Sequence, residues 1–318
     1  MPSPYRRFSL FFLLAALGCA AAWTTTPAAA QPRGGVRSVT IPITVRQRGG
    51  DAAMRELQGV GDLTVTEDGD EQRILSLRAY GTDTPLAVGI LIQDDVVSSI
   101  SNEIKALREF INRLPRGSRV MIGYIKAGSL DVRQRFTADL ERAAQALRIP
   151  IGSATAAPYN PYVEVVEGLR RFEAMPKGRR ALLVVTDGLD ISRGADSSLP
   201  SQSVDLQRAI REAQRQGVAV YSFYAPSVTA STLGNFRLIS NGQSSLERLA
   251  DETGGRAFFQ GTGAPVSFDP FLRDLAGTFT RQLALTYLST HPKKGFHRIK
   301  VTTNRDDVHI EHPSGYTR

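Results

Sequence analysis

Cysteine is almost missing from this chain: Cys19 is the single thiol in 318 residues. A disulfide framework and a Cys-ligated zinc site are therefore excluded. Long apolar runs are also missing. The best candidate, Phe8 to Ala22, spans about 15 residues, where a membrane-crossing helix needs about 20. Neither sign of charge dominates enough to define a partner, since 39 Lys and Arg stand against 31 Asp and Glu, a formal net charge of +8. Arginines such as Arg170, Arg171, Arg179 and Arg180 are scattered and read as a solvated face, not as a track for phosphates, so no nucleic-acid partner is expected. No serine occupies a Gly-x-Ser-x-Gly elbow. The stretch Gly261-Thr-Gly-Ala-Pro265 lacks the strand–helix setting of a phosphate loop. What remains, at 42% hydrophobic and 22% charged, is the composition of an ordinary globular chain, long enough for one large domain or one with a smaller companion.

Residues 1–30 read as a secretory signal peptide. Arg6 and Arg7 form the positive start, Phe8 to Ala22 the apolar stretch, and Ala28-Ala-Ala30 a small-residue cleavage site. A competing cleavage before Cys19 would leave that thiol to carry a lipid anchor, although Ala16 stands where such signals usually have Leu. Either route places the protein outside the cytoplasm, periplasmic or secreted in the first case and membrane-anchored in the second. No transmembrane helix is expected in the mature chain.

Residues 31–84 read as β structure. Val39, Ile41, Ile43 and Val45 alternate with Thr40, Pro42, Thr44 and Arg46, the period of a strand with one buried face. Pro42 cannot donate to a ladder and should face an unpaired side. Leu63–Glu67, then Asp68-Gly69, then Gln72–Tyr80 reads as a hairpin. Residues 85–282 change character. Continuous apolar strands at 86–92, 120–125, 181–186 and 218–224 alternate with helical stretches at 101–114, 161–172, 207–216, 245–252 and 269–282. That alternation implies right-handed crossovers and a doubly wound, mostly parallel α/β sheet. The 161–172 helix should bury Val163, Val166, Leu169 and Phe172, with Glu164 and Glu167 on its solvated face; residues 226–244 read as the longest irregular loop. Strand candidates return at 284–290, 296–303 and 308–311, so residues 283–318 should pack with 36–81 as a small β subdomain. The histidines there, His291, His297, His309 and His312, read as exposed strand or loop residues.

Ligands of an open parallel sheet bind where its strands end at their carboxyl termini. Three segments fall there: Gln93-Asp94-Asp95-Val96-Val97-Ser98, the Gly152–Tyr162 loop with Thr155 and Asn160, and Thr186-Asp187-Gly188. Three carboxylates near one crevice require an offset, whether from a cation, an arginine or solvent.

The set formed by Pro85–Ile92 with its acidic loop, Leu183-Val-Val-Thr-Asp-Gly188 and Leu246-Glu-Arg-Leu-Ala-Asp-Glu-Thr-Gly-Gly255 resembles a von Willebrand factor type A domain. The flanks, Leu63–Ile74 and Tyr287 through Lys300 to Gly315-Tyr316, resemble the bacterial exported subgroup first noted in acidobacteria. The resemblance implies a metal-ion-dependent adhesion site, built from an Asp-x-Ser-x-Ser loop, a Thr and an Asp. Here only Asp187 matches cleanly. The loop positions fall on Gln93, Asp95 and Val97, or one residue later on Asp94, Val96 and Ser98; the Thr position falls on Asn160, with Thr155 as the offset alternative. Val in place of Ser removes an oxygen ligand and Gln in place of Asp removes a charge, losses that Mg²⁺ tolerates poorly.

The expectation is therefore an exported, non-enzymatic protein-interaction module of the adhesion type, with its metal site degenerate. Asp94, Asp95, Ser98, Asn160 and Asp187 would hold Mg²⁺ or another divalent cation, if one binds. Gln93, Asp94, Asp95, Thr155, Asn160 and Asp187 would meet a protein partner in the envelope or extracellular space. A structural envelope component docking through its β subdomain, and a Mg²⁺-dependent adhesion module, are the alternatives.

Overall fold

The computed structural model describes residues 36–47, 62–80, 84–194, 198–228, 236–259, 261, 267–306 and 308–318. Residues 1–30, expected to be a signal peptide, and with them Cys19, lie outside the described residues. The latter all belong to the unit Gly35–Arg318. Among the described residues no helix is long and apolar enough to cross a membrane.

The chain opens with β1 (Arg37–Gln47), followed by a hairpin of β2 (Leu63–Glu67) and β3 (Asp70–Ala79). The hairpin turns on Asp68 and Gly69, both at positive φ (52° and 98°), the conformation that two-residue turns between twisted strands require. Next come β4 (Ala87–Gln93), helix α1 (Glu103–Asn112) and an antiparallel pair, β5 (Arg119–Lys126) and β6 (Ser129–Thr137). Helices α2 (Leu140–Gln145) and α3 (Tyr162–Arg170) lead to β7 (Arg180–Thr186), and α4 (Val204–Gln216) leads to β8 (Ala219–Tyr224). Helix α5 (Phe236–Asp251) precedes the short β9 (Ala257–Phe258), and α6 (Asp269–Thr280) closes the middle section. Four strands follow: β10 (Leu283–Ser289), β11 (Phe296–Thr303), β12 (Val308–Glu311) and β13 (Gly315–Thr317).

These strands form two sheets. The first has the order β6-β5-β4-β7-β8-β9 and is parallel apart from β6, which runs antiparallel to β5. Both faces are covered. Val88, Ile90 and Ile92 of β4 pack with Leu107 of α1, Ala143 of α2 and Leu272 of α6, whereas Ala87 and Leu91 pack with Val165 of α3 and Ile210 of α4. This two-sided burial is why β4 and β7 read as unbroken apolar runs. Each fully buried aliphatic side chain contributes about 1.5–3 kcal/mol relative to exposure.

The second sheet holds seven antiparallel strands, in the order β12-β1-β10-β3-β2-β11-β13. The expected small β subdomain is therefore the larger of the two sheets by strand number, and the architecture is a mixed α/β sheet joined to a substantial antiparallel one. β3 stands at its centre, and β10 pairs with β1 on one side and β3 on the other. Pro42 sits where β1 has a partner on one side only, because β12 pairs with β1 only from Thr44 onward.

Of the arginines expected on a solvated face, Arg170 and Arg171 are exposed but Arg179 and Arg180 are buried, and Arg179, with Arg46, links the two sheets. Arg179 donates to the carbonyl of Phe279 at the end of α6 and stacks 5.0 Å from the Tyr80 ring after β3. Arg180 donates to the carbonyls of Met175, Pro176 and Gln216, satisfying acceptors left over at a helix end. Arg46 of β1 holds both oxygens of Asp274 in α6 (2.9 and 3.1 Å) and Glu311 of β12 (2.7 Å).

Other differences from the sequence reading have local causes. Helix α5 begins at Phe236, inside the stretch expected to be irregular, because Leu238, Asn241, Leu246 and Leu249 form a buried stripe that outweighs weak helix formers between them. In α3, Val165 joins the core while Val163 stays half exposed, and Glu164, expected in solvent, is buried with one oxygen lacking a partner. Burial pushes the Glu164 carboxyl above its usual range. His297 is buried between Asp68 (2.8 Å) and Glu67 (3.4 Å), and His312 accepts a hydrogen bond from the Val301 N–H (3.2 Å); neither is the exposed residue expected.

Candidate functional site at the carboxyl ends of the parallel strands

Counting β4 as first, the order of the parallel sheet is 3-2-1-4-5-6, so chain direction across the sheet reverses between β4 and β7. That switch point is where an open α/β sheet leaves a crevice. The last residue of β4, Gln93, occupies it. Its amide nitrogen donates to Asp95 Oδ1 (2.7 Å), and its carbonyl oxygen accepts from the Thr186 hydroxyl and the Asp187 N–H (3.3 Å). One neutral amide thus ties together the loops that follow β4 and β7.

Asp187 is buried, and its Oδ1 accepts from the Leu189 N–H (3.0 Å). Burial raises its pKa, and hydrogen bonds from Ser227, Leu189 and Gln93 act in the opposite direction. The backbone here lies against α5. A Cβ on Gly242 would sit 2.2 Å from the Asp187 carbonyl oxygen, and one on Gly188 (φ 71°) would sit 2.6 Å from the Gly242 carbonyl oxygen. Only glycine fits this approach at both positions. The loop after β8 laces across to the loop after β4, with Val97 N–H donating to Pro226 O (3.0 Å) and Val228 N–H to Asp95 O (2.9 Å).

Asp94 is fully buried and points into a different set of donors. Arg148 grips both its oxygens (2.6 and 2.7 Å), and the Ile151 N–H adds a third bond (3.0 Å). The guanidinium lies 3.9 Å from the centroid of the Tyr124 ring, whose hydroxyl donates to the Arg148 carbonyl (2.7 Å). Bidentate, charge-assisted pairing of this kind is the strong form of the interaction. The Asp94 pair raises the Arg148 pKa further. Of the three offsets left open by the sequence, an arginine is the one found at Asp94. Nothing in the sequence around Asp94 marks Arg148, which lies 54 residues downstream.

The remaining candidate ligands are dispersed. Asn160 donates to Asp205 of α4 (2.8 Å) and accepts from the Tyr162 N–H (3.0 Å), so it caps α3 and joins it to α4. Ser98 and Thr155 are exposed. Among the described residues no group of three His, Cys, Asp or Glu side chains is placed to hold a metal ion. A hard divalent cation needs six or more converging oxygens. Both Asp94 oxygens are committed to a guanidinium, an amide N–H is directed at Asp95, and the Asn160 oxygen serves a helix cap. The residues expected to hold the cation do not fit it.

The expected partner-contact set needs the same correction. Gln93, Asp94, Asp95, Asn160 and Asp187 are all buried, because each carboxylate has found donors within the protein. Exposed apolar side chains also occur here, beside exposed polar ones such as Ser98, Thr155 and Arg193. Ile149 and Ile151 flank the Asp94 contact, Tyr159 precedes the Asn160 cap, and Val163, Val204 and Phe236 stand at the first turns of α3, α4 and α5. Tyr159 and Phe236 are the most open, at 69% and 68% exposure. Leu199 is exposed as well. In the sequence Val163 reads as part of the buried stripe of its helix, and the others, drawn from separate loops and helix starts, share no common period.

No family model matches the sequence and no curated protein does. Solved structures similar to this chain include an aerotolerance-related membrane protein from Bacteroides fragilis, 13% identical with a TM-score of 0.41, covering 61% of this chain and 98% of that one. BatB from Bacteroides thetaiotaomicron is 12% identical with a TM-score of 0.42, over 61% and 97% of the two chains. A von Willebrand factor type A protein from Catenulispora acidiphila is 11% identical with a TM-score of 0.43, over 80% and 73%.

Proposed function

We propose that this chain is an exported, non-enzymatic protein-interaction module of the von Willebrand factor type A kind, working without a cation. Its loops at the strand ends are held by Gln93, by the Asp94–Arg148 pair and by the Asn160 cap, and they offer exposed apolar side chains to a protein in the envelope or extracellular space. The observation that carries this reading is the contrast between the buried, internally bonded polar residues and the exposed apolar side chains of the surrounding loops and first helical turns, Tyr159 and Phe236 foremost. Exposed aromatic side chains on a rigid frame are the usual anchors of a protein interface. Export rests on the features of residues 1–30, and the adhesion-type role on the resemblance given by the chain's motifs.

Site-specific photocrosslinking tests it. A photoreactive residue at Tyr159 or Phe236 of the exported protein, irradiated in the native envelope, should give a discrete protein adduct that survives a divalent-ion chelator. The same residue at Leu75, exposed on β3, should give none. Adducts that vanish with the chelator, or that form only from Leu75, would refute it.

A further inference from the structure

The seven-stranded sheet curls but does not close. Along Arg37–Ile43, β1 pairs with β10 on one side, and among the described residues no strand lies on the other. β12 covers that outer side only at Thr44–Gln47. At the opposite end of the sheet, β13 pairs with β11 through Gly315–Thr317, with no further strand beyond it among the described residues. These two edges border a single cleft of about 220 Å³, lined by residues 37–42 and 315–317, with Lys177 and Arg215 beside it. Arg37 reaches across from β1 to lie 5.0 Å from the centroid of the Tyr316 ring.

An open strand edge presents backbone donors and acceptors in the pattern that an added strand would match. Proteins blunt such edges with charge, proline or a covering loop. Here Pro42 ends the usable stretch, leaving about five residues from Arg37 to Ile41 able to pair. The charge on the cleft is of one sign. Its lining contains Arg37, Lys177 and Arg215 and no carboxylate. Arg215 already holds Glu173 and Glu212. Lys177 is exposed, and the Arg37 Nε is buried with no acceptor.

We infer that the β1 edge is a docking site for an extended, acidic segment of a partner protein, added as an extra strand in the cleft between β1 and β13. Main-chain pairing to Arg37–Ile41 would supply the affinity. A carboxylate reaching the Lys177 ammonium and the half-buried Arg37 guanidinium would supply selectivity. A second copy of this chain fits less well, because it would bring the same cations to the same edge. The site lies on the antiparallel sheet and is independent of the apolar side chains at the strand ends.

The test uses the full chain and a fluorescein-labelled peptide of about eight residues that alternates Glu with Val. Fluorescence anisotropy should show saturable binding that weakens with salt. Replacing Glu by Lys in the peptide, or methylating alternate backbone nitrogens, should each cost about tenfold or more in affinity. Arg37→Glu should do the same. Lys177→Glu, at an exposed position outside any element, serves as the variant whose folding is not in question, and should also weaken binding. Absence of binding, equal binding of the Lys peptide, or indifference to Lys177→Glu would overturn the inference. So would sedimentation showing that the edge pairs two copies of the chain. Crosslinking from Tyr159 and Phe236 should be unchanged in the Lys177→Glu protein, so failure here leaves the strand-end reading standing on its own test.

Discussion

Arg148→Met is the substitution that bears hardest on the strand-end loops. In the wild-type protein the guanidinium makes two bonds to a fully buried Asp94, at 2.6 and 2.7 Å, and stacks on Tyr124. Methionine keeps most of the apolar stem and the contact with the ring but leaves the Asp94 carboxylate with the Ile151 N–H as its remaining donor among those three bonds. Removing one partner of a buried pair costs about 3–5 kcal/mol, because the other charge stays buried without compensation. Arg148 is 28% exposed, so water relieves part of that cost, and a loss of about 3 kcal/mol is expected. At roughly 2–4 °C per kcal/mol for a chain of this size, the melting temperature should fall by about 6–12 °C. Adding Asp94→Asn should restore more than half of the loss, since a neutral amide no longer needs a counter-charge. Urea unfolding at pH 7 measures both variants. A loss below about 1 kcal/mol for Arg148→Met, or no recovery in the double variant, would show that the pair does not hold the loop.

Four further outcomes follow from the same geometry. His312 accepts from the Val301 N–H through Nε2 while its Nδ1 faces the Pro313 carbonyl at 2.8 Å, so the folded ring is neutral, and burial lowers its pKa from 6.5. A depressed folded value gives stability that is present above about pH 6.5 and lost as pH falls; His312→Gln should lose less stability than wild type between about pH 7.5 and 5.5 in thermal melts. Glu164 has the opposite sign: its pKa is raised, so its cost is absent below its unfolded value and grows as pH rises, and Glu164→Gln should be more stable than wild type at neutral pH but not at about pH 4. Gly242→Ala should destabilise by about 1–3 kcal/mol in urea unfolding, because its Cβ would meet the Asp187 carbonyl oxygen. Tyr159→Ala and Phe236→Ala should leave the melting temperature within about 2 °C while each reduces partner crosslinking from the other position.

Much of the fold was legible in local pattern. The alternation at Val39–Arg46, the Asp68-Gly69 turn and the apolar runs of β4, β5, β7 and β8 are properties of a few adjacent residues, and each forms the strand or turn its pattern implies. The size of the antiparallel sheet was not legible. It depends on pairing Arg37–Ile43 with Leu283–Ser289, across most of the chain, and no local period encodes that partner. The same holds for the site. Sequence placed Gln93, Asp94, Asp95 and Asp187 at the strand ends but treated them as a presented acidic face. The donors that draw them inward, Arg148 and Ser227 among them, come from segments far away in sequence. His297 was misread for a related reason: its acceptors, Glu67 and Asp68, belong to a hairpin about 230 residues earlier.

The measurement that bears most directly on a cation-free strand-end site is isothermal titration of Mg²⁺, Mn²⁺ and Ca²⁺ into the folded chain at neutral pH. With Asp94 held by Arg148 and Gln93 donating to Asp95, no saturable heat is expected from any of the three. Stoichiometric binding that Asp187→Ala abolishes would contradict the account.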